Sequence, residues 1–129
     1  NLKHLSIVGK LNIFLLKNEF EKFKNEDVII TQKQIEHIQF GNHSSDFEYF
    51  EKYSNEVISN PDMILRDLNH KDTIMTVKKI ENTNLNIIIA LSIADEKNIY
   101  QNSVITAYRI RDKNLRKLEI KHKLIYKKQ

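Results

Sequence analysis

Thr73-Ile74-Met75-Thr76-Val77-Lys78-Lys79-Ile80, a break at Asn82-Thr83-Asn84, and then Leu85-Asn86-Ile87-Ile88-Ile89-Ala90-Leu91-Ser92-Ile93 decide the fold. The first run is rich in β-branched residues. In the second, Leu85, Ile87, Ile89, Leu91 and Ile93 recur every second position and so share one face of a strand. Ile88 and Ala90 make the opposite face apolar as well, which predicts a central strand. Outward from this pair, Met63-Ile64-Leu65 reads as a short strand, Ser103–Arg111 as another, and Lys123–Lys127 as the last. Asp112 is placed to start a short helix running through Leu118.

Before Pro61 the period is helical. Thr31 and Gln34 have capping-box spacing, Ile35 and Ile38 supply an apolar stripe, and Gly41-Asn42 ends the segment. Ser45 and Glu48 repeat that spacing, and Phe47, Phe50, Val57 and Ile58 carry a second helix toward Asn60-Pro61, with a possible break near Ser54. Further upstream, Leu5-Ser6-Ile7-Val8 and Leu11-Asn12-Ile13-Phe14-Leu15 flank Gly9-Lys10, so residues 1–27 read as a hairpin or a helical extension. The expectation is one α+β domain over 1–129, with N-terminal helices packed on one face of a four- to five-stranded antiparallel sheet and the other face free to carry a site.

The chain has 129 residues and a formal charge of +4, with no Cys, which excludes disulfides, thiolate nucleophiles and sulfur-ligated zinc. No run approaches the roughly 18 apolar residues of a membrane span. The charge is uneven. Arg109, Arg111, Lys113, Arg116, Lys117, Lys121, Lys123, Lys127 and Lys128 face only Asp112 and Glu119, so residues 107–129 carry +7 and the remainder −3. A basic end on a slightly acidic domain is the footprint of a polyanion binder.

Several segments carry a family likeness. Ile30-Thr31-Gln32-Lys33-Gln34-Ile35-Glu36-His37-Ile38, His43, Asp46-Phe47-Glu48, Glu56-Val57-Ile58-Ser59-Asn60-Pro61-Asp62, Asn102-Ser103-Val104-Ile105-Thr106 and Leu124-Ile125-Tyr126-Lys127-Lys128 follow in order. Over residues 28–128 the chain resembles the phage-associated Barnase-EndoU-colicin E5/D-RelE-like nucleases. The resemblance implies helices preceding a compact antiparallel sheet and a metal-independent endoribonuclease that uses no cofactor. It also implies a toxin or phage effector acting on cytoplasmic RNA, tRNA included, delivered as part of a larger protein and held in check by an acidic inhibitor or immunity protein. Relatives have a basic residue before the second His and a Pro after it. Asn42-His43-Ser44 has neither, so another cation must hold the phosphate.

Metal-free RNA cleavage uses the 2′-hydroxyl as nucleophile and leaves a 2′,3′-cyclic phosphate. The protein supplies a base, an acid and cations for the phosphorane charge. His37 and His43 are the natural acid–base pair, since imidazole titrates near neutrality. Six residues apart on a straight helix they would point about 240° from one another, and a turn at Gly41 relieves this. Alternation along Ser103–Arg111 places Arg109 on the open face as a phosphate clamp and Thr106 toward the core. The family motif instead assigns Thr106 to the site, a conflict that a bulge resolves. Tyr126 beside Lys123, Lys127 and Lys128 offers a stacking ring among cations for RNA. His70 and His122 read as surface residues. The alternatives are an RNA-binding module of the same fold without catalysis, or a basic protein-interaction domain.

Overall fold

A computed structural model describes residues 5–23, 25–41, 45–93 and 101–129. The four-strand meander around the diagnostic stretch is present as β3 (Met63–Arg66), β4 (Thr73–Ile80), β5 (Thr83–Ala90) and β6 (Asn102–Ile110), each antiparallel to the next. Leu85, Ile87 and Ile89 share one fully buried face of β5, as their alternation requires. β7 (Lys123–Lys127) closes the sheet against β3.

Two strands at the other end enlarge the sheet beyond the four or five expected. β1 (Leu5–Lys10) pairs antiparallel with β2 (Asp27–Thr31), and β2 pairs parallel with β6. The result is a seven-stranded open sheet ordered β1-β2-β6-β5-β4-β3-β7, mostly antiparallel. The predicted hairpin between 5–8 and 11–15 does not form. Ile13–Leu15 instead makes one 3-10 turn that seats Leu11, Leu16 and Phe20 in the core, and β1 turns to β2 for its hydrogen bonds. Gly9 packs closely there: a Cβ would approach Ile58 Cβ to 3.0 Å.

α1 (Gln32–Gln39) starts as its sequence predicts, with Thr31 Oγ1 accepting from Gln34 N at 3.2 Å. α2 (Asp46–Ser59) runs unbroken through Ser54, burying Phe50, Ser54, Val57 and Ile58 on one stripe. Pro61, just beyond it, biases Asn60 away from helical geometry. Both helices cover one face of the sheet, and the main core lies between. α3 (Asp112–Lys121) covers part of the opposite face, where Leu115 and Leu118 pack on Met63, Leu65, Met75 and Val77. Helices therefore lie on both faces rather than one, and the second face is only partly free. Among the described residues no helix is long and apolar enough to cross a membrane.

Candidate active-site cleft

β2 reaches only Ser103 of β6, because Thr31 then turns the chain into α1. Beyond Ser103, among the described residues, β6 has β5 on one side and an unpaired edge on the other. α1 and the start of α2 overhang that edge and leave a cleft of about 350 Å³ lined by His37, Ile38, Gly41, Asp46, Thr106, Ala107 and Tyr108. Ile38 is buried and anchors α1, while His37, off the apolar stripe, is exposed at the rim. Gly41 follows at the turn, where a Cβ would lie 2.9 Å from the His37 carbonyl oxygen. His43 lies outside the described residues.

A β-bulge sets what β6 presents. Ile88 pairs with Thr106 and Ile89 with Val104, so Ile105 has no partner. Val104 and Ala107 consequently both face the helix-covered core, and every residue after the bulge is reversed relative to simple alternation. Thr106, opposite Ile88, is thereby turned to the face away from α1 and α2 instead of into the core, and it is half-buried where β6 borders the cleft.

The same reversal overturns the expected orientation of Arg109. It faces α2 instead of the open sheet face. Its Nε donates to Asp46 Oδ1 at 2.7 Å, its Nη2 to Ser45 Oγ at 2.7 Å, and its guanidinium lies 4.2 Å from the Tyr49 ring centroid. The Asp46 hydrogen bond raises the Arg109 pKa above its already high ordinary value, so the cation is permanent. Ser45 occupies the N-cap position of α2 as its spacing suggested, but its hydroxyl serves Arg109 and makes no cap bond. Asp46, whose importance the sequence did not reveal, is buried and lines the cleft, so it connects the guanidinium to the site.

The basic residues near the C-terminus are elsewhere. β7 is four strands from β6, roughly 19 Å at ordinary strand spacing, so Tyr126, Lys123, Lys127 and Lys128 are not gathered at the cleft. Tyr126 is half-buried against the core. Lys123 Nζ lies 3.0 Å from Glu19 Oε1, and Lys127 Nζ 3.7 Å from Glu119 Oε2, while Lys128 is exposed.

A second polar cluster surrounds Asp67, at the end of β3. The buried Asp67 carboxylate accepts from Asn69 N at 2.8 Å and from His70 Nδ1 at 3.0 Å. His122 is buried rather than superficial, and its Nδ1 accepts from Leu68 N at 3.1 Å. The same nitrogen lies 3.7 Å from Asp67 Oδ1, beyond hydrogen-bond distance. Arg66 and Lys123 converge on Glu19 beside it and hold that carboxyl below its usual range. The Asp67-x-x-His70 spacing in a polar turn was a visible signal for half of this cluster; His122, from a distant segment, offered none.

Among the described residues no group of three or more His, Asp or Glu side chains is disposed to hold a metal ion. Comparison of the chain with family models, curated proteins and solved structures finds no match.

Proposed function

We propose that the protein is a metal-independent endoribonuclease of the Barnase-EndoU-colicin E5/D-RelE-like type, with His37 and Thr106 at its reacting centre. The observation that carries this reading is a shared cleft: His37 on α1 and Thr106 on β6, from motifs remote in sequence, both line it. His37 Nε2 or Nδ1 takes or gives the proton at the 2′- or 5′-oxygen, with His43 as its partner. The Thr106 hydroxyl and the outward N–H groups of the β6 edge donate to the phosphorane oxygens, which are most negative in the transition state. Arg109 acts as a positioning residue: held by Asp46 and Ser45, it fixes the cleft wall and adds a permanent positive field. The substrate class is cellular RNA, tRNA included, and the cognate inhibitor is an acidic protein.

One observation favours a second reading, an RNA-binding module without catalysis: the guanidinium expected to clamp phosphate is already paired with a buried carboxylate. Incubating the protein with total RNA and with tRNA in EDTA, beside His37→Ala and Thr106→Val, separates the two. The nuclease reading expects cyclic-phosphate ends and a loss of about 10²-fold or more in His37→Ala. Salt-sensitive binding without cuts selects the second reading. Cleavage at wild-type rate by folded His37→Ala removes this cleft from the mechanism.

A further inference from the structure

α3 turns the C-terminal charge into a shaped surface. Lys113, Arg116, Lys117, Ile120 and Lys121 fall within an arc of about 140° around the helix, away from the Leu115 and Leu118 positions that pack on the sheet. All five are exposed, Ile120 at 87%. The two acids of the helix are engaged otherwise: Asp112 takes Asn84 Nδ2 at 2.8 Å and Lys79 Nζ at 3.0 Å, and Glu119 pairs with Lys127. Among the described residues, Lys113, Lys117 and Lys121 have no hydrogen-bond or ion-pair partner, and Arg116 acts only at range, on Asp112. Among the described residues these four cations, spread over successive turns, therefore have no paired anion.

The ridge is also placed usefully. α3 begins where β6 ends and finishes where β7 starts, so its length of about 15 Å carries the chain across the sheet between the cleft-bearing strand and the Lys127-Lys128 edge.

We propose that this outer face of α3 is a docking ridge for the phosphate backbone of single-stranded RNA. Charge complementarity selects a polyanion. The exposed Ile120 amid the cations selects an unpaired strand, whose splayed bases present apolar faces to a side chain, whereas an A-form duplex shows that surface mainly phosphate and 2′-hydroxyl groups. The inference rests on the reading of the chain as an RNA-directed protein, and its test is independent of cleavage.

The probe is a 2′-O-methylated RNA oligomer, which cannot undergo 2′-hydroxyl attack, titrated against the full chain at several salt concentrations. The variant carries Lys113→Gln, Arg116→Gln, Lys117→Gln and Lys121→Gln together; its control carries Lys10→Gln and Lys52→Gln, and circular dichroism checks both folds. Four phosphate contacts on a single strand account for about 2.8 in the slope of log K against log salt. The expected result is a slope shallower by about 2 to 3 and binding weakened more than tenfold in the ridge variant, with the control close to wild type. Ile120→Ala weakens the oligomer further than it weakens a duplex. Equal slopes in wild type and ridge variant overturn the proposal. So does ridge-dependent binding to phosphatidylserine vesicles with RNA binding unaffected, which would make the face a membrane contact. If the oligomer binds through the ridge and unmodified RNA is never cut, docking stands and the nuclease reading fails.

Discussion

Replacing Arg109 by Ala isolates the ion pair behind the cleft. The Asp46 side chain is 5% exposed, and among the described residues Arg109 is its ion-pair partner. Stranding a buried charge by removing its partner costs about 3–5 kcal/mol. Two features reduce that here: Arg109 is 26% exposed, so water already screens the pair, and Asp46 is the first residue of α2, where the helix end favours a carboxylate by about 0.3–1 kcal/mol. Lost stacking on Tyr49 adds about 0.5–1 kcal/mol back. The expected net loss is about 3 kcal/mol, a fall of about 1.5 M in the urea midpoint for a slope near 2 kcal/mol/M. Urea titration of wild type, Arg109→Ala, Asp46→Asn and the double variant closes the cycle. The double variant is expected to be more stable than the two separate losses would give, with a coupling of about 1.5 kcal/mol or more. A stability change below about 0.5 kcal/mol in Arg109→Ala, or additivity around the cycle, would refute the assignment of this pair as a buried clamp.

Gly41→Ala drives a Cβ against the His37 carbonyl, a backbone atom that has little room to move, so it is expected to lower stability by about 1–3 kcal/mol and, on the nuclease proposal, to reduce RNA cleavage. Thermal denaturation with a parallel cleavage assay checks it, and an unchanged variant contradicts the tight turn. Acid stability follows from Asp67 and Glu19. Burial works against the Asp67 charge, but the Asn69 N–H and His70 outweigh it, and Asp67 titrates below its ordinary range; Arg66 and Lys123 do the same to Glu19. Groups with depressed folded-state values stabilise the protein above the unfolded carboxylate range, and that stabilisation is lost as pH falls below about 4 through the depressed values. The acid limb of stability against pH should therefore be shallower in Asp67→Asn than in wild type, and superimposable limbs would contradict it.

The elements that could be read from sequence are those specified by neighbours along the chain. Thr31 caps its helix through a bond to Gln34 three residues on, and Leu85, Ile87 and Ile89 reveal a buried strand by period alone. What was not legible depends on partners remote in sequence. Residues 27–31 are too short to declare a strand beside a strong helix start, and their parallel partner is β6. Ser45 has good capping spacing, yet Arg109 competes for its hydroxyl with a charge-assisted bond. The bulge at Ile105 leaves no compositional mark but inverts the face of everything after it, which is why Arg109 was expected in the open and is found against α2. For the cleft, the motifs indicated His37 and Thr106, while Asp46 became visible only once β6 and α2 were packed together.

Asn102 has a consequence for how the molecule assembles. Its fully buried amide accepts from Ser92 N at 2.7 Å and donates to the carbonyls of Asn25 and Asp27, 77 and 75 positions away in the chain. The strands β3 to β6 pair with their neighbours in sequence order, whereas the parallel seam between β2 and β6 has two register positions, with this side chain bridging beside them. Ordering such a distant junction has a large entropic cost before any contact compensates it. The N-terminal strand pair is thus held to the meander by few backbone bonds, and Asn102 carries an unusual share of that junction. Because α1 hangs from the end of β2, this one amide also steadies the wall of the cleft, and Asn102→Ala is expected to loosen the cleft as well as the seam.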